Sequence, residues 1–165
     1  MPDLESSGDL NVLSEDPLCA GLFLPNLDVP ICSNEGHFIR SHFAVPQIKP
    51  SDWSLPVTGD VNNSLNLSYD DLLNMPSREI VSLMECAGNS RSTMQPPAEG
   101  VQWDNGAVSV SRWKGVSVKA ILEQAGLKAS ATDVLFEGTD SGKDAHSGNQ
   151  LTYAMSVPLE KLLNE

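Results

Sequence analysis

Basic residues are scarce in this sequence. Ten Lys and Arg stand against 22 Asp and Glu, a formal net charge of −12 over 165 residues, and no Lys or Arg occurs before Arg40. Nucleic acid is bound mainly through clustered Lys and Arg, so the composition argues against a nucleic-acid partner. An anionic membrane surface is disfavoured for the same reason. Long apolar runs are missing too: the longest, Cys19 to Leu24, falls far short of the roughly 20 residues of a membrane helix. The opening stretch holds Asp3, Glu5, Asp9, Glu15, Asp16, Asp28 and Glu35. It lacks the basic start of a secretory signal and the arginines of a mitochondrial presequence, which leaves a cytoplasmic location as the default expectation. Cysteine is limited to Cys19, Cys32 and Cys86. Three thiols cannot all pair, and a chain of this length can close one core without disulfide staples.

What is present divides the chain into two stretches. Residues 1–36 read as an extended N-terminal arm, because Pro2, Pro17, Pro25 and Pro30 interrupt every possible helix and Ser6-Ser7-Gly8 opens it flexibly. Its first eleven or so residues are expected to be disordered. From residue 37 to 165 the texture is that of a packed domain. Trp53, Leu55 and Val57 alternate with polar or proline positions, an edge-strand pattern. Ser68 to Pro76 reads as a short helix: Ser68 caps it, Asp70 and Asp71 suit its positive end, and Pro76 stops it. Arg78–Cys86 alternates as a strand, and Val118–Ala125 has helical spacing with Gly126 as its stop. Asp133–Glu137 reads as a strand followed by a polar loop reaching Leu151. Ser156, Pro158, Leu159, Leu162 and Leu163 announce a final helix. A helix of about two turns needs packing partners, so the chain is expected to be the first part of a longer fold. Strands and helices mix without βαβ alternation, which favours α+β, with a mixed β-sheet and short helices, over a doubly wound sheet.

Two segments could carry chemistry. In Glu85-Cys86-Ala87-Gly88-Asn89-Ser90-Arg91, a cysteine at a strand end precedes a glycine turn, and the cation at Arg91 favours a thiolate that could act as nucleophile or soft-metal ligand. The plain alternative is a free Cys behaving as a small buried hydrophobe, and the pattern alone leaves both open. No CxxC or HxxxH supports a structural zinc, and no GxxxxGK[ST] or GxGxxG supports a phosphate loop. His37, His42 and His146 give no motif for a cysteine protease. One thiolate ligand would leave a metal to be held mainly by an organic cofactor. In His37-Phe38-Ile39-Arg40-Ser41-His42-Phe43, the first positive charge of an acidic chain sits among aromatics, where an Arg held by packing offers a fixed fork to an oxyanion. A surface arginine at a strand end is the ordinary alternative. Trp103 and Trp113 can be core or pocket lining.

Together these segments resemble the sulfite oxidase family of molybdenum enzymes. Phe38-Ile39-Arg40-Ser41-His42-Phe43-Ala44-Val45-Pro46 is similar to its F-V-R-N-H-x-x-V-P segment, and Leu83 to Arg91 to its L-x-C-A-G-N-x-R signature. Gly100-Val101-Gln102-Trp103, Gly106-Ala107-Val108 and Trp113-Lys114-Gly115-Val116 follow its G-x-x-W, G-A and W-x-G-V pattern; Phe136-Glu137-Gly138-Thr139-Asp140 follows F-E-G-x-D. Ser41 departs from the commoner Asn, and Ser90 from Arg or Gly. The resemblance implies a sulfite-oxidase-type molybdopterin-binding fold. It makes Cys86 the thiolate on molybdenum, with Phe38, Ile39, Arg40, Ser41, His42 and Asp140 on the molybdenum cofactor. It sets Arg40, Arg91 and Trp103 around an anionic substrate. The implied reaction is oxidation of sulfite to sulfate by oxo transfer, or that of a relative acting on nitrate or a sulfoxide; a cofactor-free fragment is the non-enzymatic alternative. No cytochrome b5-like haem module is found in this sequence, so the implied electron acceptor is external, and the full-length form is expected to be a homodimer.

Overall fold

A computed structural model describes residues 5–6, 10–24, 30–144 and 147–164. The chain divides into two compact units. The first draws on residues up to Val45 and on Ile80–Trp113, and the second on Pro46–Glu79 and Lys114–Glu165.

The first unit begins with β1 (Glu5–Ser6), β2 (Leu10–Glu15), β3 (Leu18–Leu22), β4 (Ile31–Cys32) and β5 (Ile39–Arg40). β1 pairs with β4 in parallel, while β2, β3 and β5 form an antiparallel sheet in that order. Within the stretch expected as an extended arm, the described residues 10–22 form a packed hairpin. Cys19, Ala20 and Leu22 of β3 are almost wholly buried, and residues 5–6 and 10–11, expected to be disordered, lie in strands. The prolines that excluded a helix do not exclude a hairpin, since Pro17 falls in the turn between β2 and β3 and takes no ladder position. Pro25, also counted in the arm, lies outside the described residues. β3 is covered by the 106–107 segment at short range. The Leu22 N–H donates to the Gly106 carbonyl at 2.8 Å, and a Cβ on Gly106 would collide with the Leu22 carbonyl. The core here is Cys19, Phe38, Trp103 and Ala107, with Leu13, Cys86 and Val101 packed against it.

The second unit opens with β6 (Ser54–Val57), antiparallel to β7 (Leu65–Ser68), and α1 (Tyr69–Asn74). Here the edge strand and the short helix stand where the sequence puts them. Ser68 accepts from the Asp71 N–H and the Asp71 carboxylate accepts from the Ser68 N–H, a reciprocal cap on α1. β8 (Ser77–Glu85) and β9 (Val108–Val116) form a two-stranded sheet, most of which, Ile80–Glu85 and Val108–Trp113, belongs to the first unit. α2 (Val118–Ala125) buries Ile121, Leu122 and Ala125 and ends at Gly126, whose φ is +72°. The Asn62 and Asn63 N–H groups donate to the Gly126 and Ala125 carbonyls at 2.7 and 2.9 Å, so the loop after β6 closes the helix end.

β10 (Asp133–Lys143) and β11 (Gln150–Pro158) form an antiparallel pair, and α3 (Leu159–Leu163) follows. The polar segment after Glu137, expected as a loop, stays in the ladder up to Lys143 with a register shift between Glu137 and Ser141. Ladder bonds come from the backbone, so a polar composition does not prevent pairing once β11 supplies a partner. For the same reason residues 156–158, expected in the last helix, belong to β11. Small sheets, one parallel pair and three short α-helices among the described residues make the fold α+β.

Candidate active site

Cys86 leaves β8 at a turn tied on both sides. Its N–H donates to the Ala107 carbonyl and its carbonyl accepts from the Asn89 N–H, both at 2.9 Å. The Asn89 side chain completes the tie, donating to a Glu85 carboxylate oxygen at 2.9 Å and accepting from the Ala107 N–H at 3.0 Å. Cys86 is partly buried, packed against the first core, and its sulfur accepts the Gly88 N–H at 3.4 Å. A backbone donor aimed at sulfur is the kind of contact that tunes a metal-bound thiolate. Cys19 and Cys32 are buried.

The chain turns next at Ser90, whose φ of +65° is left-handed for a non-glycine residue. This conformation is held from outside: the Ser90 N–H donates to the Asp104 carbonyl at 2.6 Å, and its hydroxyl to the Asn105 side-chain oxygen at 2.7 Å. Arg91 then opens a 3-10 turn and donates from Nη1 to the Val101 carbonyl at 3.2 Å.

The 38–42 segment is fixed from two directions. The Phe38 N–H donates to the hydroxyl of Ser109, a buried polar side chain, at 3.0 Å, and the Phe38 ring meets Trp103 edge-on at 6.3 Å. From β3, the Leu18 carbonyl accepts the Ser41 N–H at 3.1 Å and the Cys19 thiol lies 3.7 Å from the Ser41 carbonyl. Ile39 pairs with Ala20 and Arg40 with Cys19 in the ladder. The exposed Arg40 guanidinium folds onto the Ser41 carbonyl, with Nη2 3.4 Å from Nδ1 of His42. The His42 ring stands edge-on to Phe43 at 4.5 Å.

Of the residues singled out from the sequence, Phe38, Ile39, Arg40, Ser41, His42, Cys86, Arg91 and Trp103 fall in the first unit. Asp140 belongs to the second, in β10, with its carboxylate against Gly138. Trp103, which the resemblance sets beside the substrate, has no exposed surface and stands edge-on to Phe38. Among the described residues, neither Arg40 nor Arg91 meets a carboxylate; the acceptors recorded for their side chains are the Ser41 and Val101 carbonyls and a ring nitrogen of His42. No cluster of three or more His, Cys, Asp or Glu is arranged to hold a metal ion among the described residues, and no described helix is long and apolar enough to cross a membrane. Reading the sequence missed Asn89, Ser109 and Cys19 as the residues that hold the two segments. Asn89 sits inside a motif already quoted, while Cys19 and Ser109 carry no local signal.

The family model described as the oxidoreductase molybdopterin binding domain matches residues 42–165. His42, Cys86, Arg91, Trp103 and Asp140 fall within that match, and Phe38 to Ser41 precede it. Human mitochondrial sulfite oxidase is 38% identical over 139 residues, 81% of this chain and 25% of that protein. Tomato NADH nitrate reductase is 39% identical over 110 residues, 63% of this chain and 12% of that protein. This chain thus spans about a quarter of the sulfite oxidase length. The crystal structure of the sulfane dehydrogenase SoxCD from Paracoccus pantotrophus superposes with a TM-score of 0.73 at 24% identity, covering 92% of this chain and 37% of that one. The likeness is one of fold.

Proposed function

This chain belongs to the molybdopterin-binding oxidoreductase family, and we propose that it forms part of an enzyme oxidising sulfite to sulfate, with Cys86 as the protein ligand of a molybdenum–pterin centre. One juxtaposition carries the reading. The sulfur of the partly buried Cys86, which accepts a backbone N–H, shares a unit with two guanidinium groups that have no carboxylate partner among the described residues. In a chain of net charge −12, two cations without a carboxylate partner among the described residues suit an anion from solution.

The donor set fits the cofactor. One thiolate without a surrounding ligand cluster among the described residues suits a metal held mainly by non-protein sulfur, and soft thiolate matches such a metal. When bound, the group supplies a two-electron redox centre coupled to oxygen-atom exchange with the substrate. The chain's own residues would then divide the work. Cys86 would anchor the metal, and the 38–42 segment would hold the pterin. Arg40 and Arg91 would orient the oxyanion and offset its charge, and Trp103 would keep Phe38 in place. Electrons would leave to an acceptor outside this chain, and the full-length form would be a homodimer. Sulfite is the substrate proposed and nitrate its alternative: the matches to nitrate reductases extend over 63% to 78% of this chain, against 81% for human sulfite oxidase.

Purified with its cofactor, the wild-type protein should contain stoichiometric molybdenum and pass electrons from sulfite to an artificial acceptor. Cys86→Ser should lose turnover while keeping its unfolding midpoint. Arg40→Gln should raise KM for sulfite by about tenfold, the size expected for one charge-assisted hydrogen bond. Metal-free wild-type protein would end the enzyme reading, and turnover with nitrate but not sulfite would replace the substrate.

A further inference from the structure

We infer that Gly88 and Gly100 are positioning residues that act through Arg91, forming a cradle that holds its guanidinium in one orientation for an oxyanion. The inference rests on the anion-facing reading of Arg91. A Cβ placed on Gly88 would lie 2.9 Å from Nη2 of Arg91 and 3.2 Å from Cδ1 of Trp103; one placed on Gly100 would overlap Nη1. The guanidinium thus sits between two stretches of bare backbone, with the buried Trp103 beside it and Nη1 fastened to the Val101 carbonyl.

The two glycines are required for different reasons. Gly100 has a φ of +108°, where any side chain is strained. Gly88 is not among the left-handed glycines, so its backbone would accept alanine. A methyl group at Gly88 would meet the space that Arg91 and Trp103 occupy, and the movable guanidinium end of Arg91 would have to leave its place. An unconfined arginine carries side-chain rotamer entropy, which anion binding would have to overcome. Confinement removes that cost in advance and fixes the plane of the fork, favouring anions whose oxygens match it.

The test is NMR of the Arg91 Nε–Hε group in the 165-residue chain. Without anion, its order parameter should be near 0.8 in the wild type and fall below about 0.6 in Gly88→Ala. Titration with sulfate should show an affinity about tenfold weaker in Gly88→Ala, with no further effect of that change in an Arg91→Gln background. A mobile Arg91 in the wild-type chain overturns the inference without any variant. So does an equally rigid Arg91 in folded Gly88→Ala, or an equal loss of affinity when Arg91 is already Gln. If Arg91→Gln binds sulfate as the wild type does, the anion-facing reading falls, and the anion half of the inference with it; the order parameters then report on the confinement alone.

Discussion

A thiol can be packed as a hydrophobe or held at a surface as a ligand, and the cysteines here divide between the two. Cys19 is fully buried, Cys32 nearly so, and Cys86 is half-exposed at the end of β8. In the native chain Cys86 should therefore be the thiol that iodoacetamide modifies, with Cys19 and Cys32 reacting only on unfolding; mass spectrometry of the alkylated peptides reads this directly. Trp103 is the complementary case, an aromatic with no exposed surface at the centre of the first core. Trp103→Ala should cost about 3–5 kcal/mol of stability in urea unfolding. If Trp103 supports Phe38 rather than touching substrate, Trp103→Phe in the cofactor-loaded protein should leave KM for sulfite within about twofold.

Among the elements, α1 is the one whose ends are chemically marked. Hydrogen bonds from the Ser68 hydroxyl and the Ser68 N–H hold the Asp71 carboxyl below its ordinary value of 3.8. A carboxyl lowered on folding contributes stability that is complete above the ordinary value and is lost as pH falls through the lowered one. The protection factors of the α1 amides should fall in that acid window, and Asp71→Asn should remove this fall. The β10–β11 pair shows a different economy. Its register places Phe136 opposite Met155, with Leu151 and Tyr153 on the same face, and all four are exposed; the other face carries Asp133, Glu137, Thr152 and Ser156 with the exposed Leu135 among them. β8 is exposed along its whole length.

For the chain as a whole, a net charge of −12 favours solubility, while the apolar stripe on β10–β11 opposes it. The 165-residue chain should accordingly bind a hydrophobic dye in its folded state. Leu151→Ser with Met155→Ser should cut that fluorescence by about half or more without changing the far-ultraviolet circular dichroism; unchanged fluorescence would mean that the stripe is covered. Units that draw on both halves of the sequence also explain why one linear boundary near residue 36 does not describe the packing.

Local chemistry decided α1, α2, β6 and most of β8, because caps, stop residues and alternation act over a few neighbouring positions. The motifs around Arg40 and Cys86 were legible for the same reason, each being a contiguous run, and with them the family. The packed state of residues 10–22 was not. Proline marks what a backbone cannot donate, and whether Cys19 and Leu22 are buried depends on Gly106 and Ala107, more than eighty positions away. Nor could the sequence tell that the polar residues after Glu137 would remain in a ladder, since that required β11. Tertiary structure alone decided which side of Phe38 Trp103 would take and which glycines would wall in Arg91. Close approach between distant segments is a property of volume and direction, and the order of residues along a chain encodes it only once the chain has folded.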